Sequence, residues 1–484
     1  MRNWEGNKVL IIGAARQGTA LARYLVTRGA QVIINDLKKA EELGQAKDAL
    51  SDLSASGYSL EWVSGGHPLE LLTNVDFLFV SGGVPLDLPL VAEAGSRGIP
   101  ILNDSQIFLE DSPCKVIGIT GSAGKTTTTA LLGRIAQAAC REEQSNFYGN
   151  RAWVGGNIGT PLITFVEQIK PDDLAIMELS SFQLEIMTVS PHVAAILNVT
   201  PNHLDRHESM EAYKSAKARI LKFQTKKDFA ILGRDDLGAW SLASQAKGNV
   251  FSFGLTELPE NQNGTYLRED GIYMHVNEEV MEDIFQFAQE YCETDFFLMP
   301  LSAIELRGTH NLLNVMAACT IAGAMGISSP VMRTGVEDFR GVPHRLAYVR
   351  SWGGADWYND SIATTPERAI AAIQSFQEPL ILLVGGRDKK LPWDEFAEIA
   401  RRRVDHLILF GEAKEVILKG MSISGKEGFT VTRCAGLFEA VQAASKLVKP
   451  GYVVLLAPGC TSFDEFKDFE ERGECFSKWV KELV

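Results

Sequence analysis

A glycine-rich turn at residues 118–127 carries the strongest chemical signal in the chain, and it reads Gly-Ile-Thr-Gly-Ser-Ala-Gly-Lys-Thr-Thr. The apolar run that leads into it predicts a strand, and the residues after it predict a helix. This arrangement directs backbone N–H groups and a helix N-terminus toward a polyphosphate. Lys125 adds a positive charge, and the Thr126 hydroxyl suits Mg²⁺. The turn therefore predicts a site for a polyphosphate; the alternative is an ordinary glycine turn before a surface lysine.

Two further polar residues lie where strands are predicted to end. Glu178 follows the apolar run at 174–177, and His203 follows the run at 193–199. Because the carboxyl ends of parallel strands meet at one edge of a sheet, both side chains are expected beside the phosphate site. Phosphoryl transfer needs cations that spread the developing negative charge, and carboxylate, hydroxyl and imidazole groups can hold them. The alternatives are a helix-capping acid for Glu178 and a hydrogen-bonded core histidine for His203.

Short apolar runs alternate with helical patterns along three stretches of the chain, which predicts an α/β fold with mostly parallel sheets. The first stretch begins with the run at 9–12, the second with the run at 116–119, and the third follows residue 341. The pattern weakens at 246–300, where we predict an insertion or a peripheral subdomain. The predicted domains are a Rossmann-like domain at 1–103, a central P-loop-type ATP-binding domain at 104–341 and a Rossmann-like α/β domain at 342–484.

Length, charge and cysteine usage restrict the class of protein. At 484 residues the chain is too long for a single core, and its formal net charge of −14 argues against a nucleic-acid partner. The amino-terminal apolar run is too short for a signal peptide or a membrane span. The seven cysteines are scattered without a Cys-x-x-Cys pair, which disfavours zinc and indicates reduced thiols. We therefore expect a cytoplasmic protein with no membrane span and no nucleic-acid partner.

The first stretch carries a second glycine turn, at residues 13–18, between two predicted strands. Ala15 replaces the middle glycine of the dinucleotide-binding motif, so the motif is weak by itself. Asp36 ends the strand that follows. Together these features predict a nucleotide diphosphate at the start of the helix. An NAD-dependent dehydrogenase is the competing interpretation, and it leaves the turn at 118–127 unexplained.

The glycine spacing at 118–127 resembles the phosphate loop of the Mur ligase family, Gly-x-x-Gly-x-x-Gly-Lys-[Ser/Thr]-Thr. Six further segments resemble family motifs in the same order along the chain, at residues 154–159, 178–184, 198–207, 310–311, 343–345 and 359–361. The resemblance covers nearly the whole chain. It implies an ATP-dependent, amide-forming ligase of peptidoglycan synthesis that works through an acyl phosphate and releases ADP and phosphate.

The resemblance also implies substrates and cofactors. The first domain resembles the UDP-binding type, and residues 456–473 resemble the corresponding segment of family members that add D-glutamate. We therefore expect UDP-N-acetylmuramoyl-L-alanine and D-glutamate as substrates, ATP with two Mg²⁺ sites, and a monomer whose domains close around ATP. The alternatives are a sibling ligase that adds another amino acid, or glutamate to folate, and a nucleotide-binding regulator without productive ATP hydrolysis.

The family motifs imply roles for individual residues. The implied catalytic residues are Lys125, Glu178, His203 and Lys217, and the implied magnesium ligands are Thr126, Glu178, His203 and Lys217. Lys217 is expected to carry a carbamate, because a neutral amine can add carbon dioxide and the resulting anion would bind Mg²⁺. Without the resemblance, the sequence predicts that Lys217 is a solvated lysine on a helix. The residues expected to bind ATP are Gly121, Ser122, Gly124, Lys125, Thr126, Thr127, His310, Asn311, Asn314, Arg345 and Asp360.

Substrate-binding residues are implied in all three domains. Those in the first two domains are Gln17, Asp36, Ser81, Gly83, Asn157 and Ser180, and those in the third are Thr364, Lys389, Ser462, Phe463 and Phe469. Gln17 is expected near the UDP phosphates and Asp36 near uracil. Ser462 is expected at a helix start, where a hydroxyl and backbone N–H groups suit a free carboxylate, although a simple N-cap is the alternative. Ala123 and Ile362 depart from the family pattern, so no role is assigned to their side chains.

Overall fold

The computed structural model describes residues 2–142, 150–157, 159–201, 206–207, 209–269, 271–284, 294–306, 308–389, 391–420 and 429–484. The chain forms two compact units, Met1–Phe339 and Arg340–Val484. Within the described ranges, the first unit contains two sheets and the second contains one. None of the helices in these ranges has the length and apolar character needed to cross a membrane.

The first sheet is parallel throughout. Its strands are β1 (Lys8–Ile12), β2 (Gln31–Asp36), β3 (Leu60–Ser64), β4 (Phe77–Val80) and β5 (Ile101–Leu102), in the spatial order β3-β2-β1-β4-β5. The helices of this segment are α1 (Arg16–Val26), α2 (Gly44–Asp48), α3 (Ser51–Ala55), α4 (Pro89–Ser96) and α5 (Asp104–Asp111). The apolar runs of β1 and β2 are buried, as expected for parallel strands covered on both faces.

The central sheet carries the phosphate turn. Its strands are β6 (Lys115–Thr120), β7 (Ala152–Gly156), β8 (Leu174–Glu178), β9 (Val193–Ile196), β10 (Phe229–Gly233), β11 (Asn249–Phe253), β12 (Asn263–Arg268), β13 (Gly271–His275) and β14 (Asp295–Pro300). Their spatial order is β14-β13-β12-β11-β10-β9-β6-β8-β7. Because β6 pairs in parallel with both β8 and β9, the carboxyl ends of these three strands meet at one edge of the sheet, as predicted.

The segment at 246–300 belongs to this central sheet. Strand β12 pairs in parallel with β11, and β13 and β14 follow as antiparallel strands at the edge. The prediction of an insertion or peripheral subdomain was therefore wrong. Glycine and polar residues shorten the apolar runs of β12 and β13, and β14 is only partly buried, so this edge lacks the pattern of strands buried on both faces. The helices of this part are α6 (Lys125–Ala139), α7 (Ser181–Leu184), α8 (Met210–Lys222), α9 (Leu237–Trp240), α10 (Glu278–Ile284), α11 (Thr309–Ala324) and α12 (Ser329–Val336).

The second unit is built around one mostly parallel sheet. Its strands are β15 (Ala347–Trp352), β16 (Ala355–Asn359), β17 (Leu380–Gly385), β18 (Val404–Phe410), β19 (Thr430–Arg433) and β20 (Val453–Gly459), in the order β15-β16-β20-β17-β18-β19, with β15 antiparallel. Its helices are α13 (Pro366–Gln374), α14 (Asp394–Arg403), α15 (Lys414–Gly420), α16 (Leu437–Ser445) and α17 (Phe469–Lys481). The three sheets confirm the predicted α/β fold class.

Candidate active site

The phosphate turn connects β6 to α6. Gly124, the last residue before the helix, has φ = +83°, a left-handed value that favours glycine. A Cβ atom at this position would lie 2.2 Å from Asn314 Oδ1, so the turn also leaves no room for a side chain there. Helix α6 begins at Lys125. The N–H groups of a first helical turn lack acceptors within the helix and are therefore suited to phosphate oxygens.

Asn198, just beyond the end of β9, holds the turn through its backbone. The Asn198 Oδ1 accepts a hydrogen bond from the Ala123 N–H at 2.8 Å, and its Nδ2 donates to the Ala123 carbonyl at 3.2 Å. The Asn198 carbonyl accepts from the Ser122 N–H at 3.0 Å. The buried Ser122 hydroxyl donates to the Thr200 carbonyl at 2.9 Å. Ser122, predicted to bind ATP, thus uses its N–H and hydroxyl groups to shape the turn, and the N–H groups of Ser122 and Ala123 are both already bonded within the protein.

Thr126 and Glu178 meet behind the turn. Glu178 ends β8 and its side chain is buried, with 2% relative exposure. The Thr126 hydroxyl donates to Glu178 Oε2 at 2.8 Å. Asn157, predicted to bind substrate, follows β7 and donates from Nδ2 to Glu178 Oε1 at 3.0 Å. The prediction that Glu178 lies at the strand edge beside the phosphate turn is confirmed in its geometry.

Lys217 lies on α8 and is almost completely buried, with 1% relative exposure. Its Nζ donates to the Gly121 carbonyl at 2.9 Å, and Lys125 Nζ donates to the same carbonyl at 2.9 Å. Burial and the neighbouring Lys125 charge lower the pKa of Lys217 to about 6, against the opposing effect of Glu178. The reading of Lys217 as a solvated helix lysine is therefore wrong, and its buried environment favours the uncharged amine.

Hard oxygen donors are available for a cation beside this lysine. Among the side chains that the structure describes, no three histidine, cysteine, aspartate or glutamate residues cluster as a metal site. The Thr126 hydroxyl and the Glu178 carboxylate are nevertheless in contact, and Mg²⁺ prefers such ligands. His203 lies outside the described residues, so its place in the predicted ligand set stays a prediction.

Three of the residues predicted to bind ATP lie near the start of α11. His310 and Asn311 fall in its first turn, as predicted, since the helix begins at Thr309. Asn314 Nδ2 donates to Asn311 Oδ1 at 3.2 Å, which confirms that these two side chains share one face. The Thr128 hydroxyl donates to Asn314 Oδ1 at 3.4 Å. This face of α11 therefore packs directly against the helix that follows the phosphate turn.

The residues predicted to bind UDP lie at the carboxyl edge of the first sheet. Asp36, at the end of β2, accepts a hydrogen bond from the Ala14 N–H at 2.8 Å. Gln17 Oε1 accepts from the Gly82 N–H at 3.3 Å, which joins the first turn of α1 to the segment after β4. Hydrogen bonds thus bring Gln17, Asp36 and Ser81 to this edge, and Gly83 follows in the segment after β4.

Ser180 caps α7. Its hydroxyl donates to Gln183 Oε1 at 2.9 Å and accepts from the Gln183 N–H at 3.2 Å. Gln183 Nε2 in turn donates to the Ser105 hydroxyl on α5 at 2.8 Å. Ser180, predicted to bind substrate, therefore has a structural partner that ties the central sheet to α5.

In the second unit, the predicted amino-acid residues Thr364 and Lys389 are in contact. Lys389 Nζ donates to Thr364 Oγ1 at 3.3 Å. Burial, followed by the charge of Arg368, lowers the pKa of Lys389. A hydroxyl and an ammonium group therefore converge at the carboxyl edge of the sheet, where a carboxylate could be held.

The predicted position of Ser462 at a helix start was wrong. Ser462 is buried just after β20, but α17 begins at Phe469 and is capped by Asp468, whose Oδ1 accepts from the Glu471 N–H at 2.8 Å. Turns and bends occupy the intervening residues. Phe463, by contrast, is 59% exposed, so these two neighbouring residues differ in their access to solvent.

Asp360 and Arg345 are close to each other. Asp360 follows β16, is buried, and accepts from the Leu346 N–H at 3.1 Å. Burial raises the pKa of Asp360 to about 6, against the opposing charges of Arg345 and Arg368. Their predicted contacts with the nucleotide stay predictions.

Arg472 was not recognised from the sequence. It is fully buried, and its guanidinium donates to the Ser361 hydroxyl at 3.0 Å, the Ser361 carbonyl at 2.8 Å and the Cys460 carbonyl at 3.2 Å. It therefore fixes the segment after β16 to the segment after β20. A helical arginine ordinarily reads as a solvated charge, so no local pattern identifies it. Asn198 was also missed as a loop anchor, although a polar residue directly after a strand was the available signal.

Comparison with known proteins accounts for this architecture. Residues 7–103 match the Mur ligase MurD-like N-terminal domain, residues 119–322 match the Mur ligase middle domain, and residues 344–460 match the Mur ligase glutamate ligase domain.

Two curated relatives align over almost their full length. One is the UDP-N-acetylmuramoylalanine–D-glutamate ligase of Symbiobacterium thermophilum, 37% identical over 476 residues, with 98% of each chain covered. The other is the protein of the same name from Koribacter versatilis, 36% identical over 480 residues, with 99% of this chain and 98% of the relative covered.

Solved structures share the fold at lower sequence identity. The UDP-N-acetylmuramate-alanine ligase of Thermotoga maritima superposes with a TM-score of 0.54 at 17% identity, covering 98% of this chain and 99% of the other. The MurF ligase of the same organism, solved in complex with ADP, gives a TM-score of 0.52 at 18% identity, covering 99% and 96%. With matches to all three domain types and relatives aligned from end to end, the chain belongs to the Mur ligase family.

Proposed function

We propose that this protein joins D-glutamate to UDP-N-acetylmuramoyl-L-alanine and converts ATP to ADP and phosphate. The observation that carries the proposal is the buried Lys217 amine, which shares the Gly121 carbonyl with Lys125 beside the Thr126–Glu178 pair. A loop that only bound nucleotide would not need a buried lysine at this position. The names of the full-length relatives support the choice of substrates.

The reaction has two steps. A carboxylate oxygen of the alanyl group attacks the γ-phosphorus of ATP, the bond to the β-phosphate oxygen breaks, and ADP leaves. The amine of D-glutamate then attacks the acyl carbon, phosphate leaves with the electrons of the C–O bond, and the amine loses a proton. Lys125 and the amides at the start of α6 would hold the phosphates in line with the attacking carboxylate.

Thr126 and Glu178 fit a Mg²⁺ ion, because they place a hydroxyl and a buried carboxylate in contact next to the phosphate turn. The family resemblance adds His203 and Lys217 to the ligand set and implies two ions. When bound, Mg²⁺ would neutralise charge that develops on the transferred phosphoryl group. Asn157 orients the Glu178 carboxylate through the hydrogen bond to Oε1.

Carbamylation of Lys217 is part of the proposal. Addition of carbon dioxide to the neutral amine forms an N–C bond and releases one proton, which leaves a carbamate anion. The pKa of about 6 supports this step, because only an uncharged amine has the lone pair that attacks carbon dioxide. The carbamate would replace a potential positive charge with a negative one beside Thr126 and Glu178.

The amino-acid site is proposed to lie in the second unit. Thr364 and Lys389 are in contact there, and Ser462 lies buried after β20. Asp360 and Arg345 are proposed to serve the nucleotide. We further propose domain boundaries near residues 104 and 341, a monomer, and a location in the cytoplasm.

The test is phosphate release from ATP in the presence of UDP-N-acetylmuramoyl-L-alanine and one amino acid at a time. D-Glutamate, L-glutamate, L-lysine, meso-diaminopimelate and D-alanyl-D-alanine are compared. We expect turnover to require the UDP substrate and to be fastest with D-glutamate. Fastest turnover with another amino acid would overturn the substrate assignment, and phosphate release that no amino acid stimulates would overturn the ligase assignment.

A further inference from the structure

A second basic side chain lies beside the predicted amino-acid site. The segment between β16 and α13 carries Thr364, which accepts a hydrogen bond from Lys389 Nζ at 3.3 Å. The same segment carries Ile362, whose carbonyl accepts from Arg368 Nη1 at 3.3 Å. Arg368, in the first turn of α13, is exposed to solvent. One short stretch of chain therefore holds both the ammonium group of Lys389 and the guanidinium group of Arg368.

The two cations interact electrostatically. After burial, the Arg368 charge is the largest cause that lowers the pKa of Lys389. Arg368 also acts on Asp360, where its charge opposes the rise in pKa that burial causes. No carboxylate in the described part of the chain forms an ion pair with Arg368. Two positive charges held near each other without such a partner repel, and an anion bound between them would relieve that repulsion.

The other basic side chains near this edge have partners. Arg387 pairs with Glu412, with Nε–Oε2 and Nη2–Oε1 distances of 2.9 and 3.1 Å. Arg472 is fully buried and donates to the backbone and hydroxyl oxygens already described. Lys390 lies outside the described residues. Arg368 and Lys389 are therefore two basic residues near Thr364 that form no ion pair with a carboxylate in the described part of the chain.

We propose that Arg368 is a substrate-binding residue of the amino-acid site, and that its guanidinium and the Lys389 ammonium together hold one of the two carboxylates of D-glutamate. The planar guanidinium presents paired donors that match a carboxylate, and Thr364 supplies a hydroxyl to the same group. The second carboxylate would lie toward Ser462. This inference rests on the proposed function, because it assumes that D-glutamate is the amino acid.

The first test compares Arg368→Ala and Arg368→Lys with the wild type. We expect Arg368→Ala to raise the KM for D-glutamate by about tenfold to a hundredfold, with kcat and the KM values for ATP and the UDP substrate little changed. Arg368→Lys should recover part of the loss, because it keeps the charge without the paired donors. The control is Arg402→Ala on α14, which removes an exposed arginine that pairs with Glu398.

The second test identifies the carboxylate. Two amides of D-glutamate, one at the side-chain carboxylate and one at the α-carboxylate, are measured as competitive inhibitors of the wild type and of Arg368→Ala. The substitution should weaken the binding of one amide as strongly as it weakens the binding of D-glutamate. The binding of the other amide should stay unchanged, because that amide lacks the carboxylate that Arg368 binds. Equal weakening of both amides would overturn the proposed contact.

The inference and the proposed function fail in different ways. If the wild type uses D-glutamate and Arg368→Ala keeps the same KM for it, the inference is wrong and the function stands. If the wild type does not use D-glutamate, the function is wrong and the inference falls with it. A rise in every KM together with a lower thermal midpoint would mean that Arg368 only stabilises the fold.

Discussion

The Thr126 hydroxyl donates a 2.8 Å hydrogen bond to Oε2 of the Glu178 carboxylate, so that the first turn of α6 and the end of β8 are joined at the phosphate turn. The carboxylate is almost inaccessible to solvent, and its other oxygen accepts from Asn157. Each carboxylate oxygen thus accepts one hydrogen bond from a neutral donor, and its remaining lone pairs are available to a cation. This relationship predicts how the two residues respond to substitution.

Glu178→Gln should lower kcat by about a hundredfold or more, because it removes the charge while keeping the size of the side chain. Thr126→Val should also lower activity, whereas Thr126→Ser keeps the hydroxyl and should stay near the wild type. Phosphate release is measured across a range of MgCl₂ concentrations. Wild-type turnover by Glu178→Gln at every concentration would contradict a role in cation binding.

Lys217→Ala and Lys217→Arg should both be nearly inactive, since neither residue can form a carbamate. Short carboxylic acids such as acetate should restore part of the activity of Lys217→Ala, because the space left by the side chain can admit a free carboxylate. Lys222→Ala, on the same helix but exposed, is the matched control. An active Lys217→Ala variant that gains nothing from added carboxylic acids would defeat the carbamate proposal.

Gly124→Ala should damage nucleotide binding. An alanine at φ = +83° costs about 1 kcal/mol, and its Cβ would lie 2.2 Å from Asn314 Oδ1. We expect the KM for ATP to rise by about tenfold or more, with a lower thermal midpoint. Ala123→Ser is the neighbouring control, because the Ala123 side chain is exposed. Equal KM values for ATP in the two variants would show that the turn tolerates a displaced Asn314.

Asp104 should make stability depend on pH. Burial raises its pKa from 3.8 to about 6, and its Oδ1 has no hydrogen-bond partner within the described residues. The folded state therefore favours the protonated carboxyl group of Asp104. The resulting stabilisation of the fold is fully present below the pKa that Asp104 has in the unfolded chain, and it is lost as the pH rises through the higher pKa of the folded state. The difference of about two units between the folded and unfolded pKa values of Asp104 corresponds to a change of about 3 kcal/mol in the free energy of unfolding.

Asp104→Asn removes this titration without changing the size of the side chain. We expect the free energy of unfolding of the wild type to fall relative to that of Asp104→Asn as the pH rises from about 4 to about 7. Above that pH the difference should stay constant. Urea unfolding at a series of pH values measures the difference. Parallel pH profiles for the two proteins would mean that Asp104 is hydrated or already ionised in the folded state.

The sequence allowed parallel strands such as β1, β6, β8 and β9 to be predicted, because strands buried on both faces appear as continuous apolar runs. The position of Glu178 followed from the same rule, since the residue ends such a run. Strands β13 and β14 escaped the rule because they are antiparallel and lie at the sheet edge. The burial of Lys217 could not be read from its helix, and only the family resemblance singled it out.

Contacts between distant segments were beyond the reach of sequence patterns. The Ser361–Arg472 hydrogen bonds join residues 111 positions apart. The prediction that Ser462 starts a helix was wrong for a local reason. Turns extend the loop after β20 until Asp468 caps the helix. An Asp in a run of charged residues is a common helix cap, but several candidates preceded it in this sequence.

The Asn198 side chain forms hydrogen bonds only with the backbone N–H and carbonyl groups of Ala123. The conformation of the turn is thus set from outside the loop, and the alanine side chain contributes nothing to it. A cysteine introduced there could carry a fluorescent label without disturbing the turn, and the label would stand next to the incoming phosphates. The position that departs from the family pattern is therefore also the natural attachment point for a reporter of nucleotide arrival.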